Sequence, residues 1–364
     1  MFKIEAEQGE ARVAKFSTNH GEVETPFFMP VGTKAVGRFV SSDDYELTNT
    51  KTIISNQFLL SLNPGLETFE KMGGIHKFMN FDGVIFTDCG GFQMLRNNLL
   101  SSTTTNGIMF NNPEGSKVFI RPESSMEIGR KVGADVIMAL DCVLPSQEKT
   151  KEEYREALEK SHRWTKRCRE LHDGKQLLFG ITQGGLHEDL RIESAKFIDA
   201  LDFDGNAIGG VALGEDPSAM YKVIEVSVPY LSKEKPRYVM GVGRPDQIIE
   251  CVARGVDIFD SIYPQKNGRH GMLFTFSGIM DLGKAKYKFD ENPIEESCEC
   301  FVCKKFSRAY LRYLLKKNDP VGKRYLTLHN MYFMQEFMSK IRESIREGKF
   351  EEFRKSFLAK FQKI

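Results

Sequence analysis

No stretch of this 364-residue chain approaches the roughly 20 consecutive apolar residues that a bilayer-spanning helix needs. Its start, MFKIEAEQGEARVAKFSTNHG, lacks the basic opening and apolar run of a secretory signal. The expectation is a cytoplasmic protein without membrane association. Cysteine is sparse, seven in all, and in a reducing compartment these read as core thiols or metal ligands rather than disulfides. There is no repeat of solenoid period and no low-complexity tract, so neither organises the chain. Net charge is almost nil at +1, and the total says nothing for or against an anionic partner. Its distribution says more. Cys298 to Ile364 holds 16 Lys/Arg against 7 Asp/Glu, a net +9 that leaves −8 for the rest. A lysine-studded helical face accounts for such a run, and so does a surface that meets a phosphate backbone.

What the chain has is a recurring unit: a short apolar run, a polar or glycine-rich turn, then a helical pattern. The runs are PFFMPV, KTIIS, GVIFT, DVIMAL, LLFGIT, NAIGG, YVMGV and VDIFD. Among the helices, SQEKTKEEYREALEKSHRWTKRCRELHD sets Tyr154, Ala157, Leu158, Ser161, Trp164, Cys168 and Leu171 on one face. Eight buried strands alternating with helices predict a parallel barrel, with an open doubly wound sheet as the alternative. Polar residues gather where the runs end: Asp88 ahead of Gly90 and Gly91, Asp141, Gln183 ahead of Gly184 and Gly185, and Asp260. Singly, each has a plain explanation as a turn, loop or capping residue. In a parallel barrel, however, all these strand ends open on one rim, where side chains from distant sequence converge as an active site.

The strings TPFFMPVGT, TDCGGFQM, GITQGG, AIGGVALGE, MGVGRPDQI and FDSIYPQKNGRHG, followed by a cysteine cluster and a later histidine, carry a family likeness. In order and along nearly the whole chain they resemble the queuine tRNA-ribosyltransferases, the tRNA-guanine transglycosylases of bacterial type. The resemblance implies an α/β fold, an irregular (β/α)8 TIM barrel with an inserted zinc-binding subdomain near the C-terminus. The expected division is a barrel over 1–285, the zinc-binding subdomain over 286–330 and C-terminal helices over 331–364. It also implies a homodimer, a pentosyltransferase that works on the anticodon stem-loop of tRNA. There it exchanges the guanine of the wobble position for a 7-deazaguanine base.

Such an exchange retains configuration at the ribose anomeric carbon, which demands two displacements. A carboxylate holds the sugar covalently between them, while a second carboxyl protonates the leaving base and deprotonates the incoming one. By resemblance Asp260 is the nucleophile and Asp88 the general acid/base. A base must leave its stack to reach the pocket, where flat or apolar side chains hold its faces. Phe92 and Met240 match those sandwich positions. Asp141 would accept the N–H groups of guanine, and Gln183 with the backbone N–H of Gly210 would donate to its carbonyl oxygen. Arg244, Lys266 and Arg269 match tRNA-contacting positions. The chain departs from the family in reading Gln265-Lys266 where Thr-Arg is usual and Cys89 where Ser is usual. Lysine lacks the two-pronged fork of arginine.

Cys298, Cys300 and Cys303 in CECFVC, with His329 in LTLHNMYF, supply three thiolates and an imidazole, the closed tetrahedral complement of a structural zinc, one per chain. A zinc hydrolase would need an open coordination position, which this set does not leave. A catalytically silent tRNA-binding subunit is the other alternative, and it would be expected to lack one of the two carboxylates. The archaeal enzyme acting elsewhere in tRNA carries further C-terminal domains, for which the 35 residues after His329 leave no room. For the incoming base, Leu213 stands where relatives that admit queuine carry glycine, favouring the smaller aminomethyl base preQ1. Val143 matches the queuine users instead, so a queuine-specific salvage enzyme remains the alternative.

Overall fold

The computed structural model describes residues 2–89, 100–111, 117–144 and 149–361. Each of the eight apolar runs forms a strand: β1 (Phe27–Pro30), β2 (Thr52–Asn56), β3 (Val84–Asp88), β4 (Val136–Met138), β5 (Leu177–Thr182), β6 (Gly205–Ile208), β7 (Arg237–Val239) and β8 (Ile258–Ser261). All pair in parallel, in the order β1-β8-β7-β6-β5-β4-β3-β2. A parallel bridge between Val31 and Ile54, with the Gly32 N–H donating to the Ile54 carbonyl at 2.8 Å, brings β2 back against β1. The sheet is therefore a nearly closed (β/α)8 barrel, and the open doubly wound alternative is excluded. Strands covered on both faces read as unbroken apolar runs rather than alternation, and six of the eight here are buried at every position.

The helix Lys151–Leu171 buries Tyr154, Ala157, Leu158, Ser161, Trp164 and Cys168, as the spacing predicts, and leaves Leu171 half-buried. Two elements lie outside the eight-run pattern. An antiparallel sheet of Phe2–Gln8, Ala11–Thr18 and Gly21–Thr25 leads directly into β1 and so covers the N-terminal end of the barrel. Its Phe16 ring enters the barrel interior, 6.1 Å from both Phe86 and Phe179. A second antiparallel sheet, Leu100–Thr103, Ile108–Asn111 and Lys117–Ile120, is inserted after β3.

After β8 come the helix Tyr263–Arg269, the antiparallel pair Met272–Thr275 and Gly278–Asp281, and two short helices, Phe301–Lys305 and Arg308–Lys316. The 27-residue helix Pro320–Arg346 then returns along the barrel, running without a break through residue 330. Gln335 Nε2 donates to the Phe28 carbonyl at 3.2 Å and Arg342 Nη1 to the Pro26 carbonyl at 2.7 Å, which fastens this helix to β1. Arg324, nearer its start, pairs with the buried Asp44. No helix among the described residues is long and apolar enough to cross a membrane.

Candidate active site and metal centre

The rim at the C-terminal ends of the strands carries two carboxylates, one bonded to a buried tyrosine and the other near enough for its charge to be felt there. Asp260, in β8, accepts the Tyr238 hydroxyl at 2.5 Å and the Gly241 N–H at 2.9 Å, both on Oδ1. Gly241 holds a left-handed φ of +83°, the turn that aims this N–H. Asp260 keeps some accessible surface, yet protein surrounds its carboxyl closely enough that burial raises the pKa, against the pull of those two bonds. Tyr238 is fully buried on β7, and its hydroxyl pKa is raised by burial and then by the charges of Asp260 and Asp88. Asp88 ends β3 in register with Asn56 on β2 and is 9% exposed. One phenol therefore lies within electrostatic reach of both carboxylates.

Beside this pair lies a polar cluster from β4, β5 and β6. Asp141 accepts Gln183 Nε2 at 2.7 Å on one oxygen and the Cys89 thiol at 3.5 Å on the other. Burial raises its pKa to about 6 in spite of both bonds. Gln183 thus spends an amide N–H on Asp141, and its backbone N–H donates to Ser194 Oγ at 2.9 Å. Gly210, at φ +67°, has room for no side chain, because a Cβ there would sit 2.4 Å from Gln183 Oε1. Beneath these loops the fully buried Arg191 donates to the carbonyls of Gly185 at 2.7 Å, Gly209 at 2.8 Å and Gly210 at 3.3 Å. Burial lowers its pKa to about 10.

The structure thus brings Asp88, Asp141, Gln183, Gly210 and Asp260 to one rim. Met240, directly after β7, is half-buried against the barrel interior. Leu213 is half-buried in the loop after β6, where the backbone N–H groups of Ala212 and Leu213 donate to Glu215 at 2.5 and 2.8 Å. Phe92 lies outside the described residues. Tyr238, Arg191 and Ser194 give no sign in the sequence, since a tyrosine inside an apolar run and polar residues inside a helix carry no local mark of a site.

The three candidate tRNA contacts stand in different surroundings. Lys266 is exposed on the helix Tyr263–Arg269. Arg269 is 9% exposed, and its pKa is lowered by burial and then by the charge of Arg38. Arg244 is half-exposed, bonds Asp246 at 2.7 Å and lines a cavity of about 360 Å³ with Tyr221 and Glu250. Gln265, next to Lys266, is buried and brackets Val31, accepting its N–H at 3.0 Å and donating to its carbonyl at 3.3 Å. Its side chain therefore clamps β1.

Cys298, Cys300, Cys303 and His329 bring their ligand atoms within 4.8 Å of one another. His329 Nδ1 stands 3.9, 3.6 and 3.4 Å from the three sulfurs in turn. Its Nε2 lies 2.9 Å from the Phe274 carbonyl, which can only accept, so Nε2 carries the proton and Nδ1 turns a lone pair to the sulfurs. Hydrogen bonds from Cys298 and then Cys303 favour the thiolate of Cys300, while Cys303 is pushed the opposite way by the same neighbours. Three sulfurs and one correctly oriented imidazole suit a structural metal.

A family model described as queuine tRNA-ribosyltransferase matches residues 7–363. Among curated relatives, a queuine tRNA-ribosyltransferase of Desulforamulus reducens is 44% identical over 366 residues, 99% of this chain and 98% of its own. One from Clostridium kluyveri is 43% identical, covering 99% of each chain, and one from Staphylococcus aureus is 42% identical over 97% of this chain and 94% of its own.

Proposed function

Because this chain belongs to the queuine tRNA-ribosyltransferase family, we propose that it exchanges the guanine at the tRNA anticodon wobble position for a 7-deazaguanine through a covalent Asp260–ribose intermediate. The enzyme is a pentosyltransferase that trades one glycosidic bond for another, so the exchange needs no nucleoside triphosphate. In the first displacement the Asp260 carboxylate attacks the anomeric carbon, the carbon–nitrogen bond to guanine breaks, and Asp88 gives its proton to the departing base. In the second, Asp88 takes a proton from the incoming base, whose freed nitrogen attacks the same carbon and releases Asp260. Asp141 accepts the N–H groups of the base edge, Gln183 and the Gly210 N–H donate to its carbonyl, and Met240 and Phe92 cover its faces. The observation that carries this reading is the Tyr238 hydroxyl, held by Asp260 at 2.5 Å and perturbed also by Asp88. It supports placing nucleophile and acid/base beside one reacting carbon.

Leu213 favours preQ1 over queuine as the incoming base, because its side chain occupies the loop where the larger base would extend. Arg244, Lys266 and Arg269 face the anticodon loop. Zinc is the metal we assign to Cys298, Cys300, Cys303 and His329; it would hold the segment together without touching substrate. We take the working form to be a cytoplasmic homodimer, for which the exposed Phe289, Tyr310 and Tyr313 offer apolar surface.

The test is a gel assay with wobble-guanine tRNA and an inert base analogue under denaturing conditions. Wild type should yield a protein–RNA adduct, and Asp260→Asn should yield none while still binding tRNA, since nucleic-acid affinity is largely electrostatic. Exchange by Asp260→Asn within tenfold of wild type, or normal exchange by Asp88→Ala, would overturn the two-carboxylate mechanism.

A further inference from the structure

Asp260 does not present its two oxygens alike. The Tyr238 hydroxyl at 2.5 Å and the Gly241 N–H at 2.9 Å both donate to Oδ1, and Oδ2 has no donor among the described residues. The aspartate keeps some accessible surface, whereas Tyr238 keeps none. An oxygen that already holds two donors is the weaker nucleophile of the pair, so Oδ2 is the one left to attack.

The phenol is fixed by the barrel itself. Tyr238 lies in the middle of β7, in register with Ala207 on β6 and Ile258 on β8, and its ring meets Phe86 edge-on with centroids 6.2 Å apart. Asp260 stands two residues beyond Ile258 on β8, in register with Met29 on β1. Hydroxyl and carboxyl thus belong to adjacent strands of one wall, and no loop has to close to bring them together.

On the exchange reading above, which this inference rests on, the asymmetry acts on the two displacements in opposite ways. When Oδ2 bonds to the anomeric carbon, the carboxylate becomes a neutral ester with Oδ1 as its carbonyl oxygen, and the two hydrogen bonds weaken as the charge they face is lost. When the incoming base attacks, the bond between Oδ2 and the anomeric carbon breaks, its electron pair returns to the carboxylate, and the same two bonds regain their strength. A donor held more tightly at the end of a step than at its start favours that step over its reverse. We propose that Tyr238 is a positioning residue that leaves Oδ2 as the attacking oxygen and, by holding Oδ1, speeds release of the ribose from Asp260. It therefore sets the lifetime of the covalent intermediate.

The test uses the full chain with wobble-guanine tRNA. The adduct is freed of released guanine by gel filtration, mixed with preQ1 and quenched in denaturant over time. Tyr238→Phe, which removes one hydroxyl and keeps the ring, should form adduct no more than threefold more slowly than wild type and lose it to preQ1 at least tenfold more slowly. The acid limb of its adduct formation should also move to higher pH, because the hydroxyl favours the charged form of Asp260 against burial. In case the phenylalanine variant misfolds, 3-fluorotyrosine in place of Tyr238, a stronger donor of nearly the same size, should shorten the adduct's lifetime. Adduct that decays at the wild-type rate in Tyr238→Phe overturns the role of Tyr238 and leaves the exchange reading standing. Formation and decay slowed equally, with no shift of the acid limb, overturns it too, since a mere structural support would act that way. No adduct from the wild type would remove the exchange mechanism itself, and this inference with it.

Discussion

Asp141 shows burial and function pulling against each other within a single side chain. Its folded pKa of about 6 lies above the ordinary aspartate value of about 3.9, so between those values the folded state holds a proton that the unfolded state has lost. Stability therefore falls as the pH rises through that window, and above about 6 the full cost, on the order of 3 kcal/mol, is present. Asp141→Asn should raise stability near neutral pH in urea unfolding, with the gain vanishing as the pH drops towards 4. In the role proposed for Asp141, it is the ionised form that would accept the N–H groups of guanine. Guanine affinity of the wild type, measured by competition, should accordingly fall about tenfold per unit below roughly pH 6, and a flat profile would remove Asp141 from the pocket. Leu213 tests the other end of the base. The backbone of its loop is held by Glu215, so Leu213→Gly should leave the loop intact and raise queuine exchange more than tenfold relative to preQ1. Efficient queuine use by the unmutated enzyme would overturn that assignment and leave the family standing. Asp88, Asp141, Gln183 and Asp260 could be found in the sequence because each follows or ends an apolar run, where a barrel has its rim. Tyr238 could not, because inside YVMGV it looks like any core aromatic.

The helix Glu188–Ala200 does at the level of an element what no single rim residue does. Two of its side chains, Arg191 and Ser194, reach up to the loops after β5 and β6 and fix both of the groups proposed to read the base carbonyl. Among the described residues Arg191 bonds carbonyls and no carboxylate, and its planar fork serves three of them at 3.3 Å or less. Lysine keeps the charge but cannot span that arrangement. Arg191→Lys should therefore raise KM for the incoming base tenfold or more and change kcat less, with the melting temperature monitored to separate misplacement from unfolding. An unchanged KM would mean that Gln183 and Gly210 hold their places without it. The eight strands were legible because buried parallel strands are largely apolar, here over three to six residues. The N-terminal sheet was not, although FKIEAEQ alternates in the structure between half-buried and exposed positions. A strand with only one covered face gives a weaker signal than a continuous apolar run, and this one lies ahead of the repeating unit.

At the scale of the whole molecule, the helix Pro320–Arg346 makes the metal centre and the barrel one mechanical body. His329 sits on it among the cysteines, and the adjacent Asn330 accepts the Phe274 N–H and donates to the Pro264 and Met272 carbonyls. Further along the helix, Gln335 bonds to the Phe28 carbonyl within β1 and Arg342 to the Pro26 carbonyl just ahead of it. A metal bound there would therefore fix one end of a rod whose other end is fastened to the barrel, and the pair Met272–Thr275 and Gly278–Asp281 lies between. A structural metal contributes its binding free energy to folding, but only to the elements that its ligands order. Stripping it should speed amide exchange at least tenfold in Met272–Asp281 and in the first half of the helix, where the contacts radiate from His329 and Asn330. Protection in β3, β4 and β5 should change little, because their partners are one another and the helices packed outside them. The Cys300→Ser, Cys303→Ser double variant should reproduce the pattern without chelator, with metal content falling below wild-type loading. Uniform loss of protection across the barrel would instead mean that metal centre and barrel fold as one cooperative unit. Unchanged protection at Met272–Asp281 with the metal gone would show that Asn330 alone suffices to hold the end of the rod.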